Sequence, residues 1–503
     1  MLKKNLMHPH RIYMKKNLIL SDPALLINKA FVDGQWINAF SGETLQITNP
    51  ANSKLITEVA KCGTKETKKA IQSANIAQKI WLTVSPYDRS RLIRDWYNLI
   101  VENRDDLAQI ITAEQGKPLN ESYAEIDYGA KYIEWFAEEA KRICGDLIPG
   151  RTADKKMFIT KNPVGLVACI TPWNFPFAML ARKIAPALAA GCSVVCKPDD
   201  KTPLSGMALV SLADRAGMPK GLLNIVVGDP EEIGGELTSN PLVKKISFTG
   251  STAIGKKLMG ASSVTVKRTS MELGGNAPFI VFNDADIDLA VQGAINSKFR
   301  NAGQTCICAN RFLIHSDIYD EFSKKLAQSA KKMTLGFGDK EGVSIGPLIT
   351  EEAANNVYNL IEDSLANGAN ILIGGNRSKL GKNFIEPTII ENIKKDMRIF
   401  SEEIFGPVAT LLKFKTEAEA VSLANDTEYG LAAYFYTQDI SRISRMIEKI
   451  DCGILGVNES LVSNEMAPFG GVKQSGQGRE GSKYGLNDYM ELKYICLGGI
   501  KSN

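Results

Sequence analysis

The chain has 503 residues, 44% of them hydrophobic, which is enough for large cores and for two or three domains. Its 60 basic and 56 acidic residues leave a formal net charge of +4, so no broad electrostatic attraction for nucleic acid is expected. Three histidines and no CxxC pair offer little to a metal centre, and no apolar run reaches the roughly 18 residues of a membrane span.

The first twenty residues carry Lys3, Lys4, Arg11, Lys15 and Lys16 with no acidic residue. One arginine and few serines fit an organelle transit sequence poorly, so a disordered extension over 1-21, or an upstream start ahead of Met14, is expected. From Phe31 to Asn49 apolar and polar residues alternate around Gly34 and Gly42, which predicts paired strands. Lys65 to Gly145 is predicted helical, with apolar residues three or four apart and with its acidic residues taken as solvated surface. Pro149 and Gly150 then break the pattern, and the alternating stretch to Lys161 predicts a hairpin standing away from the domain. The alternating C-terminal run NDYMELKYICLGG is its expected partner, and exposed edges of such a module favour pairing with another subunit.

VGLVACITP, CSVVCKP, LLNIVVG and KKISFTG read as strands separated by helical runs, the pattern of a doubly wound parallel sheet. That sheet is the expected seat of a nucleotide. A second alternation from Ala277 to about Pro468 predicts a separate α/β domain carrying Cys306, with the active site between the two. The nine cysteines, at 62, 144, 169, 192, 196, 306, 308, 452 and 496, form no dense even framework, so a reducing, cytoplasmic compartment is expected.

The chemistry gathers on a few stretches. FRNAGQTCICANR places Cys306 at the end of a helical run behind Gly303, where a nucleophile can be exposed. Thirty-four residues earlier, SMELGGN sets Glu272 between apolar residues and glycines, where desolvation can raise a carboxyl pKa towards that of a working base. TPWNFP puts Asn174 at the C-terminal mouth of a buried strand, where an amide can donate to an oxyanion. GSTAIGKK lacks the Ser or Thr that a phosphate loop needs after its Lys, and it also fails GxGxxG. What survives there is Gly250 and a helix start at Ser251 and Thr252 with free amides for a pyrophosphate, or an ordinary N-cap at Ser251. A cysteine hydrolase would need a histidine, and only His8, His10 and His315 are on offer. A catalytically silent nucleotide-binding protein is the third reading.

In order and spacing, TPWNFP, CKPDDKTP, FTGSTAIG, MELGGNAPFIVF, FRNAGQTCICANR, EEIFGPV and PFGGVKQSGQGREGSKYG resemble the NAD(P)-dependent aldehyde dehydrogenase superfamily from about Ala30 to Gly499. IEWFAEEAKRICGDLIPG, SKFRNAGQTCICANR and GLAAYFY are most similar to its succinate-semialdehyde dehydrogenases, enzymes of 4-aminobutyrate (GABA) degradation. The resemblance implies a dinucleotide-binding domain over 22-144 and 162-274, a catalytic domain over 275-474 and a small β oligomerisation arm from 145-161 and 475-503. It implies Cys306 as nucleophile, Asn174 and the Cys306 amide as oxyanion donors, and Glu272 as the base that releases the acid, with no metal. It places Trp173, Lys197, Asp200, Gly250, Ser251, Gly255, Leu273, Glu403 and Phe405 along NAD or NADP. Asp200 departs from both common patterns, and its charge leans the expectation to NAD. Arg182 and Arg300, helped by Ser463, are implied to grip the carboxylate of succinate semialdehyde, with glutarate semialdehyde as the first alternative. Cys308 is implied as a redox partner of Cys306, and the protein as a homodimer or homotetramer.

Overall fold

A computed structural model describes residues 18–499, so the expectation for 1-21 lies almost wholly outside the described residues. Strands that read as continuous apolar runs form an eight-stranded sheet. Its parallel centre runs Arg268–Glu272, Val243–Thr249, Leu166–Ile170, Ser193–Lys197 and Leu223–Ile225. Alternate side chains enter two different cores: Val167, Cys169, Val194 and Cys196 join one apolar cluster, whereas Leu166, Ala168, Ile170 and Val195 join another. That two-sided burial is why these strands show no polar alternation.

The chain enters this sheet at Leu166–Ile170, builds two strands to one side, then returns to build two on the other. The order therefore reverses between Leu166–Ile170 and Val243–Thr249, and a crevice opens at their C-terminal ends. Pro230–Ser239, between LLNIVVG and KKISFTG, is a helix that the predicted alternation passed over. The N-terminal stretch divides in two: Ala30–Val32 pairs with Gln35–Ile37 at the edge of the main sheet, whereas Thr44–Thr48 pairs with Leu55–Ala60.

Four long helices, Thr64–Trp81, Pro86–Glu102, Arg104–Gln115 and Leu119–Glu139, cover the sheet. The indole N–H groups of Trp81 and Trp96 donate to the Leu188 and Leu209 carbonyls, both at 3.0 Å, and so tie these helices to those of the sheet. Their acidic residues are not all solvated. Glu125 is 2% exposed, and one carboxylate oxygen accepts the Phe177 and Ala178 amides, capping helix Ala178–Ala190. Glu114 caps Leu204–Arg215 likewise, through Leu204 and Ser205. Helix periodicity locates a polar stripe but not the neighbour that buries it.

A seven-stranded sheet, from Asn370–Ile373 at one edge to Ile454–Val457 at the other, forms the second domain around Ala277–Val281 and Ala309–His315. Met490–Leu497 pairs antiparallel with Lys156–Pro163 along their whole length, and Asp146–Ile148 completes a three-stranded arm. The arm sheet starts at Met490 rather than 475. Gly476–Gln477 instead joins the first sheet beside Met271 and Glu272, and Lys483–Tyr489 packs on helix Ala178–Ala190. No helix among the described residues is long and apolar enough to cross a membrane.

Candidate active site

Helix Ile287–Phe299 ends in a 3₁₀ turn, Arg300–Gly303, in which Asn301, Ala302 and Gly303 all take positive φ (51°, 54° and 75°). Such backbone is costly for Asn and Ala, so the surroundings must hold it. The Asn301 amide donates to Glu121 at 2.8 Å, and its side chain bridges Gln115 and the Asn174 carbonyl, each at 3.0 Å. Gly303 is required by space as well, since a Cβ there would strike the Gly406 carbonyl. The turn delivers Cys306, half-buried, to one wall of a cavity of about 120 Å³.

Asn174 lies just beyond strand Leu166–Ile170, and its side-chain N–H donates to the Gln304 carbonyl at 2.9 Å. One of its two N–H bonds is thereby used and the other is left for a ligand. Its own carbonyl accepts from Lys117, fully buried, at 2.7 Å. Gly275, after Glu272, is pressed against the Cys306 carbonyl, which brings the two sequence motifs into one site. Glu272 is 3% exposed, and neither carboxyl oxygen has a hydrogen-bond partner among the described residues. Burial, then Glu480, holds its carboxyl well above the carboxylate range, partly countered by Arg182 and Lys183. Burial and Glu403 push the Cys306 thiol up to about 12, so the thiol and the Glu272 carboxyl are both shifted towards their uncharged forms.

The two arginines differ. Arg182 is 1% exposed, pairs with Glu480 at 2.5 Å and lies 4.0 Å from the Phe469 ring centre. It is thus held by Glu480 while also lining the cavity. Glu480 also holds Lys183 at 2.5 Å. Arg300 lines the same cavity and has no ion pair among the described residues; its guanidinium lies 5.5 Å from the Phe175 ring. Ser463 faces it from the second domain, its hydroxyl 2.5 Å from that of Tyr128. Sequence reasoning missed Glu121, Tyr128 and Glu480. The first two sit with Glu125 at helical spacing on Leu119–Glu139, a polar stripe visible in the sequence but read there as solvent-facing.

The crevice at the switch point collects the other candidates. Trp173 packs edge-on against Phe405 with ring centres 5.6 Å apart. Lys197 donates to Asp200 at 2.9 Å, which partly offsets the rise that burial imposes on the Asp200 carboxyl. Ser251 caps helix Thr252–Ser262, Gly250 is packed against the Phe248 ring, and Gly255 lies against Leu273. Glu403 accepts the Gly275 amide at 3.2 Å, and burial raises its carboxyl to about 7. At the ends of adjacent strands, the Thr171 and Thr249 hydroxyls are buried without partners. A cradle of glycines, a helix N-terminus, an aromatic pair and two orphaned hydroxyls are groups that would fit a dinucleotide. No cluster of metal-binding side chains occurs among the described residues. His315 lies at the far end of strand Ala309–His315, roughly 20 Å of chain from the cavity, against Phe414; His8 and His10 lie outside the described residues. His315, the histidine among the described residues, is therefore not an imidazole partner for the thiol.

The profile described as the aldehyde dehydrogenase family matches residues 36–495. The chain is 53% identical to the 3-sulfolactaldehyde dehydrogenase of Pseudomonas putida, over 96% of this chain and 99% of that one. It is 52% identical to the NADP(+) succinate-semialdehyde dehydrogenase of Escherichia coli strain K12 (95% and 99%) and 50% identical to the glutarate-semialdehyde dehydrogenase of Pseudomonas aeruginosa (96% and 100%). The crystal structure of succinate-semialdehyde dehydrogenase from Burkholderia pseudomallei superposes with a TM-score of 0.95 at 52% identity, over 95% of this chain and 99% of that one.

Proposed function

This chain belongs to the aldehyde dehydrogenase family, and on that premise we propose that it oxidises succinate semialdehyde to succinate with reduction of NAD(P)+. The observation that carries the substrate is Arg300, a guanidinium with no ion pair among the described residues, in a cavity that also holds Cys306. The relatives named above act on aldehydes that bear an anion at the far end, which fits one fixed cation opposite the thiol. Tyr128 and Ser463 add hydroxyl donors. Glutarate semialdehyde, one methylene longer, is the alternative, since a pocket separates one methylene by only about 1–3 kcal/mol.

In this reading Cys306 loses its proton and its sulfur attacks the aldehyde carbon. The Asn174 N–H and the Cys306 amide hold the resulting oxyanion, an arrangement worth about 2.7–4 kcal/mol per donor. The bound dinucleotide supplies the hydride acceptor. Glu272 then takes a proton from water, which cleaves the Cys306 thioester. We assign Lys197 and Asp200 to the adenosine ribose, Glu403 to the nicotinamide ribose, and the Gly250–Ser251 turn to the pyrophosphate. Gly255 and Leu273 shape the helix behind that turn, and Trp173 and Phe405 flank the nicotinamide end. Asp200 repels a 2′-phosphate, so NAD is favoured over NADP. The edge strand Met490–Leu497, with Leu492 and Tyr494 exposed, supports a homodimer or homotetramer. Nine free thiols are consistent with a reducing, cytoplasmic setting.

Rates of nicotinamide reduction with succinate semialdehyde, glutarate semialdehyde and acetaldehyde, each with NAD and NADP, test this directly. Succinate semialdehyde with NAD is expected to win, and Arg300→Gln to cost it about 10²-fold in kcat/KM while sparing acetaldehyde. Equal use of acetaldehyde by the wild type would remove the carboxylate subsite and leave a general aldehyde dehydrogenase.

Cys308 is buried and its thiol points to the Lys298 carbonyl at 3.4 Å. We propose that peroxide converts Cys306 to a sulfenic acid, which Cys308 displaces with loss of water to give a disulfide. Inactivation by peroxide should then be reversed by dithiothreitol in the wild type and become largely irreversible in Cys308→Ser. Full activity after peroxide without reductant would refute it.

A further inference from the structure

Sorting the charges around the substrate cavity leaves an imbalance of a particular kind. Arg182 and Lys183 share Glu480, and Lys117 is paired with Glu125 at 2.6 Å. Burial and Glu480 favour the uncharged form of Glu272. What remains on the cavity wall is Arg300 and Glu121. They come from different elements, the 3₁₀ turn and helix Leu119–Glu139, and no ion pair joins them within 4 Å among the described residues. Glu121 is committed on one oxygen only, to the Asn301 amide.

We propose that Glu121 sets the charge of the subsite for the substrate's tail, and thereby how strongly an anionic aldehyde is preferred over an uncharged one of equal length. This rests on the carboxylate subsite proposed above. With Glu121 ionised, its charge cancels that of Arg300. With Glu121 protonated, Arg300 is uncompensated and the cavity gains one positive charge on top of the one that Arg182 and Lys183 leave after sharing Glu480. The oxygen bonded to Asn301 accepts in either state, so the nucleophile turn is held throughout.

The surroundings place that change in the working range. Burial pushes the Glu121 carboxyl up to about 7, partly offset by Lys117, the Asn301 amide and Arg300, while Glu125 acts in the opposite direction. Across the cavity stand Arg182, already paired, and Cys306, whose thiol at about 12 does not titrate in this interval. The sign follows: protonation of Glu121 favours an anion, so preference for a carboxylate substrate is full below pH 7 and declines as pH rises through it. A semialdehyde carboxylate stays ionised over that range and contributes no slope of its own.

The test is the ratio of kcat/KM for succinate semialdehyde to that for butanal, which has the same four carbons, between pH 6 and 8.5. Cys306 and Glu272 act on both substrates, so their titration cancels. In the wild type the ratio should fall about tenfold over this interval, the scale of one partly screened charge at close range. In Glu121→Gln, which keeps an acceptor for Asn301, it should stay flat at the wild type's low-pH value. A ratio well above one but flat in both proteins overturns the role of Glu121 and leaves the carboxylate subsite intact. The same fall in both proteins overturns it too and points to Lys117. A wild-type ratio near one at every pH removes the subsite itself.

Discussion

Cys306→Ala is expected to abolish aldehyde oxidation, with kcat reduced by about 10⁴-fold or more, because no other cysteine among the described residues lines the cavity. Cys308 is no substitute. It lies buried behind the wall with its sulfur turned to the Lys298 carbonyl. Dinucleotide binding, followed by quenching of intrinsic fluorescence, should survive the change, since the crevice residues come from other strands. Residual turnover within tenfold of wild type would show that the reaction does not pass through a covalent intermediate on this residue.

Glu272→Gln has the second largest expected effect, about 10²–10⁴-fold on steady-state turnover. Oxidation to the thioester should still yield about one reduced nicotinamide per active site, followed by a much slower phase as the thioester hydrolyses unaided. Loss of both burst and turnover would instead assign Glu272 to removing the Cys306 proton. In the wild type the working base is the ionised carboxylate. Because burial and Glu480 raise its pKa, the rate of thioester release should increase with pH and fall in acid. A rate that is flat from pH 6 to 9 would mean that Glu272 is already ionised at rest. Replacing Gly470 would be a poor control, since its Cβ would press on the Glu272 carboxyl.

Much of the architecture follows from local rules. Leu166–Ile170 and Ser193–Lys197 lie where largely apolar runs end at Pro, because a strand buried on both faces needs an apolar run and a breaker to stop it. The turn before Cys306 is visible in Gly303, because one residue type meets both its positive φ and its contact with Gly406. The pairing of two strands more than 300 residues apart was legible too, since both alternate and the short strand Asp146–Ile148 covers only one edge of Lys156–Pro163.

The sequence alone therefore determined which residues form the sheets, which cysteine stands on a constrained turn, and which glycines and aromatics gather at the strand ends. The tertiary structure decided which charges are free. Arg182 and Arg300 are indistinguishable as letters, yet Glu480, arriving from 298 positions beyond Arg182, pairs with one, whereas the other has no ion pair among the described residues. Glu121 and Glu125 share one helix face, yet Lys117 and two backbone amides occupy Glu125, whereas a single amide holds Glu121. Periodicity encodes the face a side chain occupies. The charge it presents depends on burial and on neighbours brought from elsewhere in the chain, and those exist only once the domains have packed together.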